Sequence, residues 1–126
     1  MTMLSRAVES HAAALTRASG IDVLILRGAR TSLAIKAVPA TSQHTVADEA
    51  TGIPVKIKSF DWIFINSKLR TACAAFPGFC ELLPGDVIER QSDKKKFSAQ
   101  SVAPGRPVNE PHDAHGVMTV THSQET

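Results

Sequence analysis

A change of hydrophobic period at Gly20 constrains the fold of this chain more than any other feature. Before it, between Thr2 and Ser19, Leu4, Val8 and Leu15 recur at four- and seven-residue steps, with Ala7, Ala12 and Ala14 near them. That spacing predicts one helix with a thin apolar stripe. Alanine is the best helix former, and Gly20 stands where a C-terminal stop is expected. The stripe holds few large side chains, so the helix is marginal alone and must lean on another element.

After Gly20 the period falls from about 3.6 to about 2. Ile21 to Arg27 alternates β-branched residues with others and reads as a strand. Arg27-Gly28-Ala29-Arg30 is a turn, with Gly28 free to take a positive φ. Ser32 to Val38 alternates again, with Leu33, Ile35 and Ala37 on one face, and the two segments pair as a hairpin. Pro39 to Gly52 is polar and short of large apolar groups, and reads as a loop. Val55-Lys56-Ile57-Lys58 alternates with lysine out and valine or isoleucine in. It runs into Phe60 to Ile65, the most hydrophobic window, which holds the only Trp and two of the five Phe. Phe60, Trp62 and Phe64 lie two apart and therefore share one face of a strand, where aromatic residues belong to the core.

Asn66 to Cys80 reads as a second long loop. Leu83-Pro84-Gly85-Asp86 is a turn leading into a strand at Val87 to Arg90. A polar tip at Gln91 to Lys94 leads into another strand at Lys96 to Val102. Ala103 to Gly116 carries Pro104, Pro107 and Pro111 and reads as a third long loop. Val117 to His122 closes the chain as an apolar/threonine alternation. The sum is a mainly β fold, a small antiparallel β-barrel or sandwich of six or seven strands with an N-terminal α-helix and long loops. Residues 1–20 form the helical part and residues 21–126 the barrel.

Composition excludes several functions. The 126 residues carry 14 Lys+Arg against 12 Asp+Glu, a formal charge of +2, too weak to argue for nucleic acid or an anionic membrane. No uncharged stretch approaches the roughly 18 apolar residues of a membrane span. The first twenty residues are broken by Arg6, Glu9 and Arg17 and lack the apolar centre of a secretory signal. Two cysteines make no disulfide framework. A small soluble cytosolic domain without catalytic chemistry is the expectation.

The residues that carry chemistry are few. His112 and His115 are three apart and Cys73 and Cys80 seven apart, neither of which matches the spacing of a zinc site. Both cysteines lie among Ala, Phe and Pro, as small buried hydrophobes do. No nucleophile elbow, Walker sequence or dinucleotide-binding glycine motif is present. Asp48 and Glu49 are adjacent, and on a strand they would point to opposite faces. Lys94-Lys95-Lys96 reads either as a contact for DNA phosphate or an acidic partner, or as a solvated hairpin tip that protects a sheet edge. The solvated tip is the better reading, and the low aromatic content argues separately against a single-strand-binding barrel with stacking platforms.

From Leu26 onward the order of short motifs resembles the small head–tail connector proteins of tailed bacteriophages, the stopper or head-completion proteins. The resemblance rests on Leu26-Arg27-Gly28 with its following strand and on the acidic loop around Asp48 and Glu49. It continues through Lys58-Ser59-Phe60-Asp61-Trp62-Ile63-Phe64, Leu83-Pro84-Gly85-Asp86-Val87-Ile88, Phe97, Val102-Ala103-Pro104 and the ending Met118-Thr119-Val120-Thr121-His122. Ser59-Phe60-Asp61-Trp62 is offset by one residue from the family's Ser-Arg-Asp-Phe order, and Asn66 to Leu83 is longer.

The resemblance implies a structural protein of the phage virion neck, made in the bacterial host cytoplasm, with no reaction catalysed and no cofactor or metal. It implies a homo-oligomeric ring, usually a hexamer, between the portal or adaptor protein and the tail terminator or tail tube protein. Such a ring retains packaged DNA, which it contacts, and docks the tail. Its interface or channel would draw on Asp48, Glu49, Pro77, Phe79, Lys94, Lys95, Lys96 and His112. Thr41 to Thr51 and Asn66 to Phe79 would reach neighbours or the channel, and Ala103 to Gly116 an adjacent ring. Two other readings stand beside it. One is a small-barrel binding module for nucleic acid or protein. The other is a small enzyme or metal protein using His112, His115 and Cys73.

Overall fold

In the computed structural model, which describes residues 3–126, the period change at Gly20 separates α1 (Met3–Ser19) from β1 (Ile21–Arg27). Thr2 lies outside the described residues. The Gly20 amide donates to the Thr16 carbonyl at 2.8 Å, and a Cβ at Gly20 would stand 2.3 Å from that oxygen. Only glycine closes this helix against β1. The face that α1 buries is narrower than its leucines suggest. Ala12 and Thr16 are buried, Val8 and Leu15 are half-buried, and Leu4 is exposed. Ala12 packs on Ile65 and Met118, with Val8, Ile63 and Val117 around them. The small alanine at the contact lets the helix lie close to the sheet.

The remaining elements are β2 (Arg30–Thr31), β3 (Ile35–Ala47), β4 (Pro54–Ile65), α2 (Asn66–Ala72), β5 (Val87–Arg90), β6 (Lys96–Ala99), β7 (Asn109–Pro111) and β8 (Met118–Glu125). Every pairing is antiparallel. The sheet runs β1–β3–β4–β8–β6–β5, and β5 pairs back onto β1, so it closes on itself. The short strands β2 and β7 attach outside that ring, to β1 and β8. The mainly antiparallel β architecture with its N-terminal helix is thus as the sequence predicts. Eight strands replace the six or seven expected.

Trp62, Phe64, Val23, Ile25, Ile88 and Phe97 fill the interior from the sheet. Phe60, Trp62 and Phe64 share that face as their spacing requires. The Trp62 and Phe97 rings meet at 5.2 Å in a T-shaped arrangement, and Trp62 Nε1 donates to Ser123 Oγ at 3.1 Å. The indole therefore buries its area without an unsatisfied donor.

Several expectations fail. Pro39 to Gly52 is no loop: β3 continues to Ala47 and pairs with β4 from Val38↔Ile63 to Ala47↔Pro54. Beyond Ser42↔Ser59 this ribbon leaves the ring as a two-stranded arm. The arm stays outside the hydrophobic core: one face, with Ser42, His44, Val46 and Ile57, is half-buried and the other is exposed, so its residues need not be large and apolar and the periodic signal fades. For the same reason Val55 and Ile57 do not point inward, and Val55 is exposed.

Asn66 to Cys80 is no loop either. It forms α2 and a run of turns that send Leu69, Ala72, Cys73 and Phe76 into the core, joined by Leu82. Cys80, expected to be buried beside Cys73, is exposed.

Within Ala103 to Gly116, Asn109 to Pro111 pairs with β8. Pro111 is tolerated because β7 lies at an edge. Leu33, placed inward with Ile35 and Ala37, falls in the gap between β2 and β3 and is exposed. The strand expected to reach Val102 stops at Ala99.

Candidate functional site

Two polar hubs hold the projecting parts of the fold. The first joins the two turns that flank β1 and β5. Arg27 Nε and Nη2 donate to Asp86 Oδ1 and Oδ2 at 3.0 and 2.7 Å, a two-pronged contact with a buried carboxylate. The same guanidinium lies over Phe76 and Phe79, with 5.4 and 5.2 Å to the ring centroids, and donates to the Glu81 carbonyl. Its hydrogen bond to Asp86 raises the Arg27 pKa further above its ordinary value. Asp86 Oδ2 also accepts from the Leu83 amide at 2.8 Å. The segment after α2 is thereby clamped onto β1. Beneath it, burial pushes the Cys73 thiol up to about 11.

The second hub sits on the outer face of the sheet where the arm leaves it. Along β4 that face carries Ile65 and Ile63 beside α1, then Asp61, Ser59 and Ile57. His122 of β8 stands in register with Asp61, and its Nδ1 lies 2.8 Å from Asp61 Oδ1. Asp61 Oδ1 also accepts from Ser59 Oγ at 2.6 Å, and Oδ2 accepts from Ser42 Oγ at 2.8 Å. On its other side the His122 ring meets Glu110 of β7 through Nε2. His44 packs edge-on against His122 at 5.6 Å and holds Ser42 Oγ through Nε2 at 2.9 Å. Four strands thus meet at one imidazole.

Burial works against a charge on His122, but the hydrogen bonds to Glu110 and Asp61 outweigh it and raise the pKa above the ordinary 6.5. Both ring nitrogens face carboxylates, which only accept when ionised, so the imidazolium satisfies both. This arrangement differs from a nucleophile and its base. The hydroxyl protons of Ser42 and Ser59 are directed at Asp61, and neither imidazole nitrogen of His122 is left to take one.

The residues singled out from sequence are scattered. Asp48 and Glu49 stand at the tip of the arm, in a turn rather than on a strand. Asp48 accepts there from the Ala50 amide and Thr51 Oγ1 at 3.1 Å each. Lys94 and Lys95 form the β5–β6 tip and Lys96 opens β6, with Lys94 at φ +61°. Lys94 donates to Gln91 Oε1 at 2.9 Å, Lys95 lies 3.4 Å from Glu125, and Lys96 lies 4.0 Å from Glu89. Pro77 is exposed, and Phe79 packs half-buried against Phe76 and Arg27. His112 follows β7 in a turn organised by Asp113, whose carboxylate accepts from the His115, Val117 and Met118 amides. Among the described residues no group of three His, Cys, Asp or Glu side chains is placed to hold a metal.

Sequence reasoning assigned no role to Arg27, Asp61, Asp86, Glu110 or His122. The available signal was polarity out of place, in Asp61 within the most hydrophobic window and His122 within the closing strand.

Fold and hubs together define a small closed-sheet scaffold whose buried polar groups hold an arm and a clamped segment in fixed positions. The chain belongs to the phage head-tail joining protein family, whose model matches residues 1–126. A search of the curated proteins returns no match. Membership makes this a structural virion protein of the bacteriophage head–tail connection, as the motif order suggested. The motifs behind that resemblance meet in space: Arg27-Gly28 with Gly85-Asp86 in the first hub, Ser59-Phe60-Asp61 with Thr121-His122 in the second. No described helix is long and apolar enough to cross a membrane.

Proposed function

We propose that copies of this chain form a ring in the phage neck, between the portal or its adaptor and the tail, which retains packaged DNA and gives the tail its docking surface. The observation that carries this reading is the arm. Five residue pairs, Gln43↔Lys58 to Ala47↔Pro54, run past the closed sheet. At about 3.4 Å per residue they span roughly 14 Å. They add nothing to the core, yet they are anchored by a buried polar hub. A projection built this way serves contacts outside the chain. Asp48 and Glu49 at its tip are the contact residues we assign first, with Pro77, His112 and the Ala103 to Gly116 segment secondary. The head-tail joining family supports contact with head and tail components.

A role in binding nucleic acid as a free module has less support. The lysine run, its best feature, is engaged by Gln91, Glu125 and Glu89 of the same chain.

The test is a phage carrying a nonsense mutation at an early codon of this chain. DNA-filled heads that lack tails or lose their DNA, rescued by the chain supplied in trans, are the expected outcome. Wild-type particles in which mass spectrometry finds no copy of the chain would overturn the reading.

A further inference from the structure

The groove on the far side of the molecule from the arm tip has a shape and charge that suit that tip. It lies between α1, α2 and the β2–β3 gap and has a volume of about 580 Å³. Its floor is apolar, with Ala13 and Ala72 beside Leu33, which is 68% exposed. The Leu33 amide donates to the Ala72 carbonyl at 3.0 Å, so this leucine is held outward by the backbone. The rim is basic, with Arg17, Lys36 and Lys68. Lys36 is 3.2 Å from Asp22, which leaves a positive balance. The arm tip has the complementary composition. Asp48 and Glu49 stand beside Ile53, which is 61% exposed, and Val55, which is also exposed.

The tip has no access to the groove of its own chain. Strand β3 begins at the groove with Ile35 and ends at the tip with Ala47, twelve steps along one strand. At about 3.4 Å per step the two ends are roughly 40 Å apart. The strand between them is fixed by pairing with β1 at one end and β4 at the other.

We infer that the arm tip of one copy, through Ile53 and Glu49, docks in the α1–α2 groove of a second copy, against Leu33 and Lys68. The contact is heterologous: a copy that has given its tip still offers its groove, so the association repeats and closes into a ring where the rotation allows. The acidic tip approaching the basic rim fixes which end meets which. This inference rests on the proposed assembly of copies in the neck and identifies the surfaces that would meet.

Ile53→Lys and Leu33→Lys test it in the full-length chain. Both side chains are exposed, so circular dichroism is expected to match the wild type. Native mass spectrometry is recorded up to about 1 mM, the weak end of specific association. Wild-type chain is expected to give oligomers, and each variant alone to weaken self-association by about tenfold or more. A mixture of the two retains one intact tip and one intact groove, and is expected to give a one-to-one dimer that grows no further. Wild-type chain that stays monomeric throughout, either variant assembling as the wild type does, or a mixture that yields no dimer overturns the inference. None of these outcomes removes the neck role, which is tested separately on particles.

Discussion

Asp61 and His122 face each other across the β4–β8 ladder, in register and joined at 2.8 Å between Oδ1 and Nδ1. The pair sits where the closed sheet gives way to the arm. Glu110 completes it from β7 and Ser42 from β3, so its protonation state is shared by four strands.

Stability is therefore expected to depend on pH. The folded-state pKa of His122 is raised above the ordinary 6.5. The stability from its proton is fully present below about pH 6.5 and is lost as pH rises through the folded value. Urea midpoints are expected to fall on the alkaline side of pH 6.5, and His122→Gln to flatten that part of the profile. At pH 6 the same variant is expected to lose about 3 kcal/mol, because Asp61 stays buried without its charged partner. A profile unchanged by the variant would exclude His122 as the group responsible.

Arg27→Ala is expected to destabilise by about 3 kcal/mol in chemical denaturation, since it leaves the buried Asp86 carboxylate unpaired and uncovers Phe76 and Phe79. Arg27→Lys is expected to fall between, because an ammonium cannot reproduce the two-pronged contact. Equal losses in the two variants would mean that the fork geometry is immaterial.

The two thiols are expected to separate by reactivity. Cys73 is buried with its pKa pushed up to about 11, while Cys80 is exposed. A colorimetric thiol reagent at neutral pH is expected to modify one cysteine quickly in the native protein and the second only on unfolding. Cys80→Ser removes the fast phase. Two fast thiols in native protein would show that the core around Cys73 is open.

Replacing Gln43 to Lys58 by an Asn-Gly turn removes the arm and retains the Ser42↔Ser59 pair. The hydrophobic core keeps all its side chains and the second hub loses only His44, so the thermal midpoint is expected to move by about 5 °C or less. Joining of heads to tails in a complementation assay is expected to be lost. A shortened chain that still joins them would show that the arm is dispensable.

What the sequence made legible follows from burial. Where one face of a strand meets the core, as at Phe60, Trp62 and Phe64, the two-residue period is plain and the reading holds. Where a strand lies outside the core, as from Ala40 to Ala47, its half-buried face is made of Ser42, His44 and Val46 rather than large apolar residues, and a strand reads as a loop. Asn66 to Leu82 misleads in the opposite direction. Its small residues and Pro77-Gly78 suggest an excursion, but Leu69, Phe76 and Leu82 are spaced by turns rather than by a regular period, and all are buried. The hubs leave only the out-of-place polarity of Asp61 and His122 in the sequence, for a third reason. Asp61 and Glu110 are 49 positions apart in the chain, and only β-pairing brings them to His122.

The strands that build the arm are the same strands that build the interior. No hinge separates them: β4 passes from Pro54 at the tip to Ile65 beside α1 as one continuous element. A pull on the tip along its axis therefore draws β4 against β8, stressing their six residue pairs together in shear rather than opening them one after another. Mechanically, whatever grips the far end of this protein grips Trp62.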